Sequence, residues 1–555
     1  MTTAAELAPA LVASGLAHQR EGRLSPAESC LLAALRLDPG NAEATYLMGV
    51  LALQAGNGQG AIAYLSRVVE RRAGDADALY NMGMAHVLDF DLDRAETWFR
   101  RALAVNPRHT GSRFGLGNLA RLLGRDEEWP EHYLAAMRWP DATAPMVSNA
   151  LLALHSSPSV SLEELYALHR EWERRFAAPA YARRQPHRND RDAGRPLRIG
   201  FVTSAFNAEI VGRYLRGVLA ALASRSEAQV HLYANSTSRD WVAEALEQGH
   251  RGGSIASLSD DQAAARIRAD GIDILVDLNG HAPGHRLLVF ALRPAPVQIS
   301  WLDYFDTTGL EAIDYLITDP VSTPPDGAQR FAERLMHMPV RLCFTASSTS
   351  PAVAPSPALR GSGVTFGSFT RADKVTGEVV STWARILAAV PGSRLILKGE
   401  TLKFPRVQAR FEGAFARAGV DPARLELRTP SPHHELLAEY ADIDVALDTF
   451  PYNGGATTCD ALWMGVPVVA KMGESMISRQ SGMMLRAVGA SQLVAGDDDQ
   501  YVEIAASLAR DPQRLAELRS GLRSAMADSP LCDAERFADA LLLEVRRAWR
   551  EWCAA

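Results

Sequence analysis

Small and apolar residues recur with one period in the first third of the chain and with another beyond residue 197. In the first third the period is 34 residues, marked by Gly15, Gly49, Gly83 and Gly117. Other positions keep step: Ala27, Ala61 and Ala95; Leu31, Leu65, Phe99 and Tyr133; Ala34, Val68, Ala102 and Ala136. Small residues at fixed places let two helices approach closely, and the larger apolar ones fill the seam to the next pair. This is the tetratricopeptide pattern, and it predicts about four repeats over residues 1–140, with Trp129 in place of alanine marking an atypical last copy. Such arrays present a groove that holds an extended peptide or a helix, so recruitment of a protein partner is expected ahead of mere bracing.

Residues 141–195 predict a helical bridge and linker. Ser161-Leu162-Glu163-Glu164 is a capping box opening a helix that carries His169 and Trp172. Arg183, Arg184, His187, Arg188, Arg191 and Arg195 follow among Pro, Asn, Asp and Gly, as in a solvated linker.

From Leu197 short apolar runs alternate with helical stretches. Runs at 197–202, 230–233, 272–278, 297–301 and 315–318 predict strands of a first doubly wound parallel sheet over residues 196–345. A Ser/Pro/Ala linker at 346–362 interrupts the pattern. It restarts with runs at 364–369, 394–397, 425–428, 444–447 and 466–470, predicting a second such lobe over 363–555. Two lobes on a short linker imply a cleft, with ligands beyond the carboxyl ends of the strands. In the second lobe those ends carry Lys374, Lys398, Ser431 and the stretch from Asp448 to Trp463.

That last stretch carries the clearest chemistry. A buried run to Leu447 leads into Asp448-Thr449-Phe450-Pro451-Tyr452-Asn453-Gly454-Gly455-Ala456-Thr457-Thr458 and then a helix. A strand, a Gly-rich turn and a helix N-terminus converge free N–H groups and a positive dipole end on one point, an anion site suited to a nucleotide phosphate. Asp448 and Asp460 are expected to hold backbone turns.

Composition narrows the partners. At 47% apolar and 22% charged, the 555 residues are those of an ordinary soluble protein, and a net charge of −7 argues against nucleic acid. Cys30, Cys343, Cys459, Cys532 and Cys553 lack metal-ligand spacing and read as reduced thiols of a cytoplasmic protein. The N-terminus has no signal-peptide pattern, and no apolar run would cross a membrane. Three motif matches are discounted. Gly115 to Ala120 fits a dinucleotide fingerprint, but the repeat register claims Gly117. Asp442-Ile443-Asp444 lies at the start of a strand, away from the ligand end, and reads as solvated. Asp497-Asp498-Asp499 reads as a loop.

Beyond residue 197, several motifs occur together. They are Asp277-Leu278-Asn279-Gly280-His281, Phe290 to Gln298, Trp301-Leu302-Asp303-Tyr304 with Thr307-Thr308-Gly309, the glycine-rich loop, and Gly473-Glu474 with Ser478-Arg479. The chain resembles the SPINDLY/O-GlcNAc transferase family, glycosyltransferase family 41. The resemblance implies a tetratricopeptide solenoid followed by a GT-B fold. It implies an inverting, metal-independent protein O-glycosyltransferase, with no cofactor beyond the nucleotide-sugar co-substrate. Lys374 aligns with the family's lysine at the donor phosphates. Arg371, Lys398, Ser431, Gly454, Gly455, Ala456, Thr457, Thr458 and Asp460 then fall on the donor side. Arg213, His281, Tyr304, Thr307 and Thr308 fall on the acceptor or sugar side.

The chain departs from usual members where they carry histidine, having Glu209, Gly455 and Leu436 at those places, and it has Arg371 for a glutamine. Glu209 becomes the candidate base. The donor is then UDP-GlcNAc-like or a CMP-nonulosonate whose carboxylate meets Arg371 or Arg213, with flagellin as acceptor, as in some bacterial relatives. The alternative is a catalytically inactive repeat scaffold.

Overall fold

The structure, a computed structural model, describes residues 4–206, 211–236, 250–361 and 363–555. It divides into two compact units, Met1–Ala142 with Thr401–Phe411, and Thr143–Glu400 with Glu412–Ala555.

The first unit holds four helix pairs, from Ala4–Arg20 with Leu24–Leu37 to Thr110–Leu122 with Glu128–Met137. The repeat glycines show why the period exists. A Cβ built on Gly15 would lie 2.9 Å from Leu31, on Gly49 2.7 Å from Leu65, on Gly83 2.5 Å from Phe99 and on Gly117 2.9 Å from Tyr133. Each glycine makes room for the large residue sixteen positions later. Ala27, Ala61 and Ala95 are fully buried, and Trp129 fills the same place in the last repeat.

In the second unit, helices Ala144–Leu154 and Leu162–Trp172 precede the first sheet. Ser161 caps the second of them by accepting from the Glu164 N–H at 3.2 Å. The expected solvated arginines are partly engaged: Arg195 pairs with fully buried Asp273 at 2.6 Å, and Arg184 lies over the Tyr181 ring.

The first sheet comprises β1 (Leu197–Thr203), β2 (Ala228–Ala234), β3 (Arg251–Ser254), β4 (Ile274–Asp277), β5 (Val297–Ser300), β6 (Tyr315–Thr318) and β7 (Arg334–His337). Its order is β3-β2-β1-β4-β5-β6-β7. The second comprises β8 (Thr365–Ser368), β9 (Arg394–Lys398), β10 (Leu425–Arg428), β11 (Val445–Leu447), β12 (Val468–Lys471) and β13 (Val494–Ala495), in the order β10-β9-β8-β11-β12-β13. All pairings are parallel. Both orders reverse beside the first strand of the lobe, which places a crevice at the carboxyl ends there.

Three expectations change. Asp497 caps the helix Asp498–Ala509, which Asp498 and Asp499 open, where a loop was expected. The last helix, Ala534–Ala554, returns to the first lobe, where Phe537 stacks on Trp301 at 5.3 Å and Glu551 accepts from the Tyr315 hydroxyl at 2.8 Å. The second lobe therefore ends before it. Asp444 is not solvated: it is buried and accepts from Ser356, from the Ala358 N–H at 3.0 Å and from the Thr365 N–H at 2.8 Å, clamping the linker to β8. All five cysteines are free. No described helix is long and apolar enough to cross a membrane.

Candidate active site

The loop after β11 is held from within. Asp448, at the carboxyl end of that strand, accepts from the Gly454 N–H at 2.7 Å, so it does hold a turn. Asn453 donates through Nδ2 to the Thr449 carbonyl at 2.9 Å. Gln480 and Ser481 both donate to the Gly454 carbonyl, at 2.9 and 3.0 Å. Gly454 is boxed in: a Cβ there would lie 2.6 Å from Thr458 Oγ1 and 2.8 Å from Thr457 Oγ1. Gly455 begins helix Ala456–Trp463, whose N-terminus no side chain caps. Its leading N–H groups remain available to an anion.

Lys374 ends a short turn, Ala372–Lys374, after β8. It is buried, donates to the Asn453 carbonyl at 2.9 Å and lies 3.8 Å from the centre of the Tyr452 ring. Burial and the neighbouring Arg371 charge push its pKa down, against Asp448 and Asp373. Arg371 itself is half exposed, 3.5 Å from Asp373.

These groups share one cavity of about 310 Å³ between the lobes. The second lobe contributes Arg371, Lys374, Tyr452, Gly455, Ala456 and Thr457, and the first contributes Leu302, Asp303 and Phe305 among others. Lys374, Arg371 and an uncapped helix end on one wall can neutralise a phosphate leaving group.

The remaining candidates are placed elsewhere. Lys398 is buried on Glu439 at 2.9 Å and the Thr429 carbonyl at 2.7 Å, and Ser431 donates to the same Glu439 at 2.8 Å. They brace the lobe outside the cavity wall. Thr458 bonds Ser481 at 2.9 Å, behind the loop. Asp460 holds no turn. Arg213 donates to it at 2.7 Å and to His433 Nε2 at 2.9 Å, so this pair ties the two lobes together. Arg479 does the same, donating to the Val321 carbonyl at 2.7 Å.

The expected acceptor-side groups are fully buried and mutually satisfied. His281 bonds Ser148 at 2.8 Å and the Thr308 carbonyl at 2.9 Å. Tyr304 bonds His169 at 2.6 Å, and Thr307 and Thr308 both donate to Glu333. They shape the wall from behind. His155, His169 and Asp306 also come within 4.8 Å of one another, but each already has internal partners. Glu209 lies outside the described residues. Gly473, Glu474 and Ser478 line a different cavity, also about 310 Å³, with Phe450 and Pro451. Sequence reasoning passed over Tyr452 and Asp303 as site residues, although both follow carboxyl ends of strands.

The pattern of glycosyl transferase family 41 matches residues 173–347 and 356–541, and tetratricopeptide repeat patterns match 12–78 and 76–109. The chain belongs to glycosyltransferase family 41. Among its family 41 relatives is the probable UDP-N-acetylglucosamine–peptide N-acetylglucosaminyltransferase SPINDLY of Oryza sativa subsp. japonica. The two are 37% identical over 73% of this chain and 44% of that protein. The corresponding SEC protein of Arabidopsis thaliana is 30% identical over 68% of this chain and 40% of its own. The chain thus spans less than half the length of these curated relatives. The solved structure of a Thermobaculum terrenum O-GlcNAc transferase variant, a lysine-to-methionine mutant, superposes with a TM-score of 0.78 at 34% identity. That match covers 100% of this chain and 99% of the other.

Proposed function

We propose that this family 41 chain transfers a sugar, with inversion and without a metal, from a nucleoside-diphosphate donor to Ser or Thr of a protein. The observation that carries the reading is that Lys374 and the start of the uncapped helix Ala456–Trp463 line one interlobe cavity together. The donor is UDP-GlcNAc or a close relative, the donor in the names of the family members above. Two cations, Lys374 and Arg371, beside a helix N-terminus suit the two charges of a diphosphate. A nonulosonate donor is less well served. Arg213 is committed to Asp460, and the Asp303 carboxylate on the opposite wall would repel a sugar carboxylate. The repeats recruit the acceptor, flagellin being one protein to try, and the reaction takes place in the cytoplasm, where nucleotide sugars are made.

The experiment has two arms. UDP, GDP and CMP are compared in thermal unfolding, where a bound ligand raises the midpoint by mass action. UDP is expected to give the largest shift, and a shift with CMP alone overturns the diphosphate donor. Candidate acceptors are then co-expressed with the wild type or Lys374→Ala and weighed intact. Added sugar mass with the wild type alone is expected, whereas none with either supports the inactive scaffold.

A further inference from the structure

The wall opposite Lys374 carries one carboxylate among the described residues, that of Asp303. Its surroundings are unusual for an acid. The carboxylate accepts no hydrogen bond from the described residues; it meets the charges of Arg341 and Arg371 and, behind the wall, the buried Asp277 carboxyl, whose ionisation it opposes. Other buried acids of this lobe are occupied. Asp277 accepts from the Gly280 N–H at 2.7 Å, Asp306 bonds His155 at 3.0 Å, and Glu333 holds Thr307 and Thr308.

The turn presenting Asp303 is held on both sides. Leu302 sits at φ 88, a left-handed conformation that strains a branched residue. Buried Arg341 donates to the Leu302 carbonyl at 2.8 Å and to the Tyr304 carbonyl at 2.7 Å, bracketing Asp303. Gly280, at φ 53, has no space for a Cβ beside Tyr304, where it would fall 2.3 Å from the Tyr304 Cβ. Strain maintained by surrounding contacts, with an unpartnered carboxylate at its centre, is the arrangement of a group kept for a ligand.

We infer that Asp303 is the general base that takes the proton from the acceptor hydroxyl. The inference rests on the transferase reading above. In the step, the acceptor oxygen forms a bond to the anomeric carbon while its proton passes to the Asp303 carboxylate. The bond from that carbon to phosphate breaks, and its electron pair leaves with the nucleoside diphosphate, held by Lys374 and the helix N-terminus. Asp303 then returns the proton to solvent. Burial raises its pKa to about 6, against Arg341 and Arg371, which leaves it ionised at neutral pH yet basic enough to work. The other titratable or charged groups on this cavity are Lys374, Tyr214 and Tyr452.

The test compares wild type, Asp303→Asn and Asp303→Glu for kcat, KM and pH profile on one protein acceptor, with UDP thermal shift as the binding control. A general base predicts that Asp303→Asn loses about 10²- to 10⁴-fold in kcat with the UDP shift intact. The wild-type fall in rate below pH about 6 should vanish in that variant, and Asp303→Glu should restore part of the rate. An Asp303→Asn enzyme within threefold of wild-type kcat, a change confined to KM, or an acid limb that persists overturns the assignment. A wild type that transfers sugar to no acceptor overturns the transferase reading and this one together.

Discussion

Binding of a nucleoside diphosphate should draw a proton onto Lys374. In the free protein the Lys374 ammonium is buried beside Arg371, which lowers its pKa from the ordinary lysine value. An anionic ligand against the same amine favours the charged form and raises that value. Between the lowered pKa of the free protein and the higher one of the complex, the amine is neutral before binding and charged after it. Binding there takes up as much as one proton, and affinity falls by up to about tenfold per pH unit as pH rises, or about 1.4 kcal/mol per unit. Below the lowered value both states are charged and the dependence vanishes. Titration calorimetry with UDP at pH 8.5, in two buffers of different ionisation enthalpy, reads the uptake directly. That pH lies above the last phosphate ionisation, about 6 for a monoester, so the ligand's own protons do not contribute. Uptake should be measurable in wild type and absent in Lys374→Met. No uptake in the wild type, or equal uptake in the variant, would refute the electrostatic account of the site.

Three further outcomes are expected. Gly454→Ala forces a Cβ to within 2.9 Å of Asp448 Oδ1 and closer still to both threonine hydroxyls, and overpacking of this kind costs about 1–3 kcal/mol. It should lower both the thermal midpoint and UDP affinity. Arg213→Ala leaves Asp460, itself only 4% exposed, without its cation, and breaking a buried pair costs about 3–5 kcal/mol. Urea unfolding should shift to lower concentration, and an unchanged midpoint would mean the pair does not join the lobes. In the repeats, Gly83→Ala places a Cβ 2.5 Å from the Phe99 ring whereas Gly74→Ala meets nothing within 4 Å. Circular dichroism melts should show the first destabilised and the second close to wild type.

The repeats and most strands were legible because their physics is local. A 34-residue period requires a glycine opposite each large residue, and the structure shows that contact in all four copies. Strands buried on both faces, such as β11 and β4 up to its closing Asp277, are continuous apolar runs. Three edge strands were not legible. β3 reads Arg-Gly-Gly-Ser and β7 Arg-Leu-Met-His, polar because they lie at sheet margins, and β13 has two residues. In the site, Lys374 and the loop at Gly454–Thr457 were legible from a strand, a turn and a helix start in sequence. The burial of His281, Tyr304, Thr307 and Thr308 was not, because it depends on partners far along the chain, such as Ser148 and Glu333. Asp303 stands in the Trp301-Leu302-Asp303-Tyr304 motif, which by itself says nothing of its role. Its isolation from hydrogen-bond donors and its bracketing by Arg341 are tertiary facts.

In the proposed function the donor's phosphates lie between Lys374 and the start of helix Ala456–Trp463. A crystal structure of the full chain with UDP tests it most directly. Phosphate oxygens are expected within hydrogen-bond distance of Lys374 Nζ and of the Ala456 and Thr457 N–H groups. Phosphates bound instead in the cavity of Phe450, Lys471 and Glu474, or nowhere between the lobes, would contradict it.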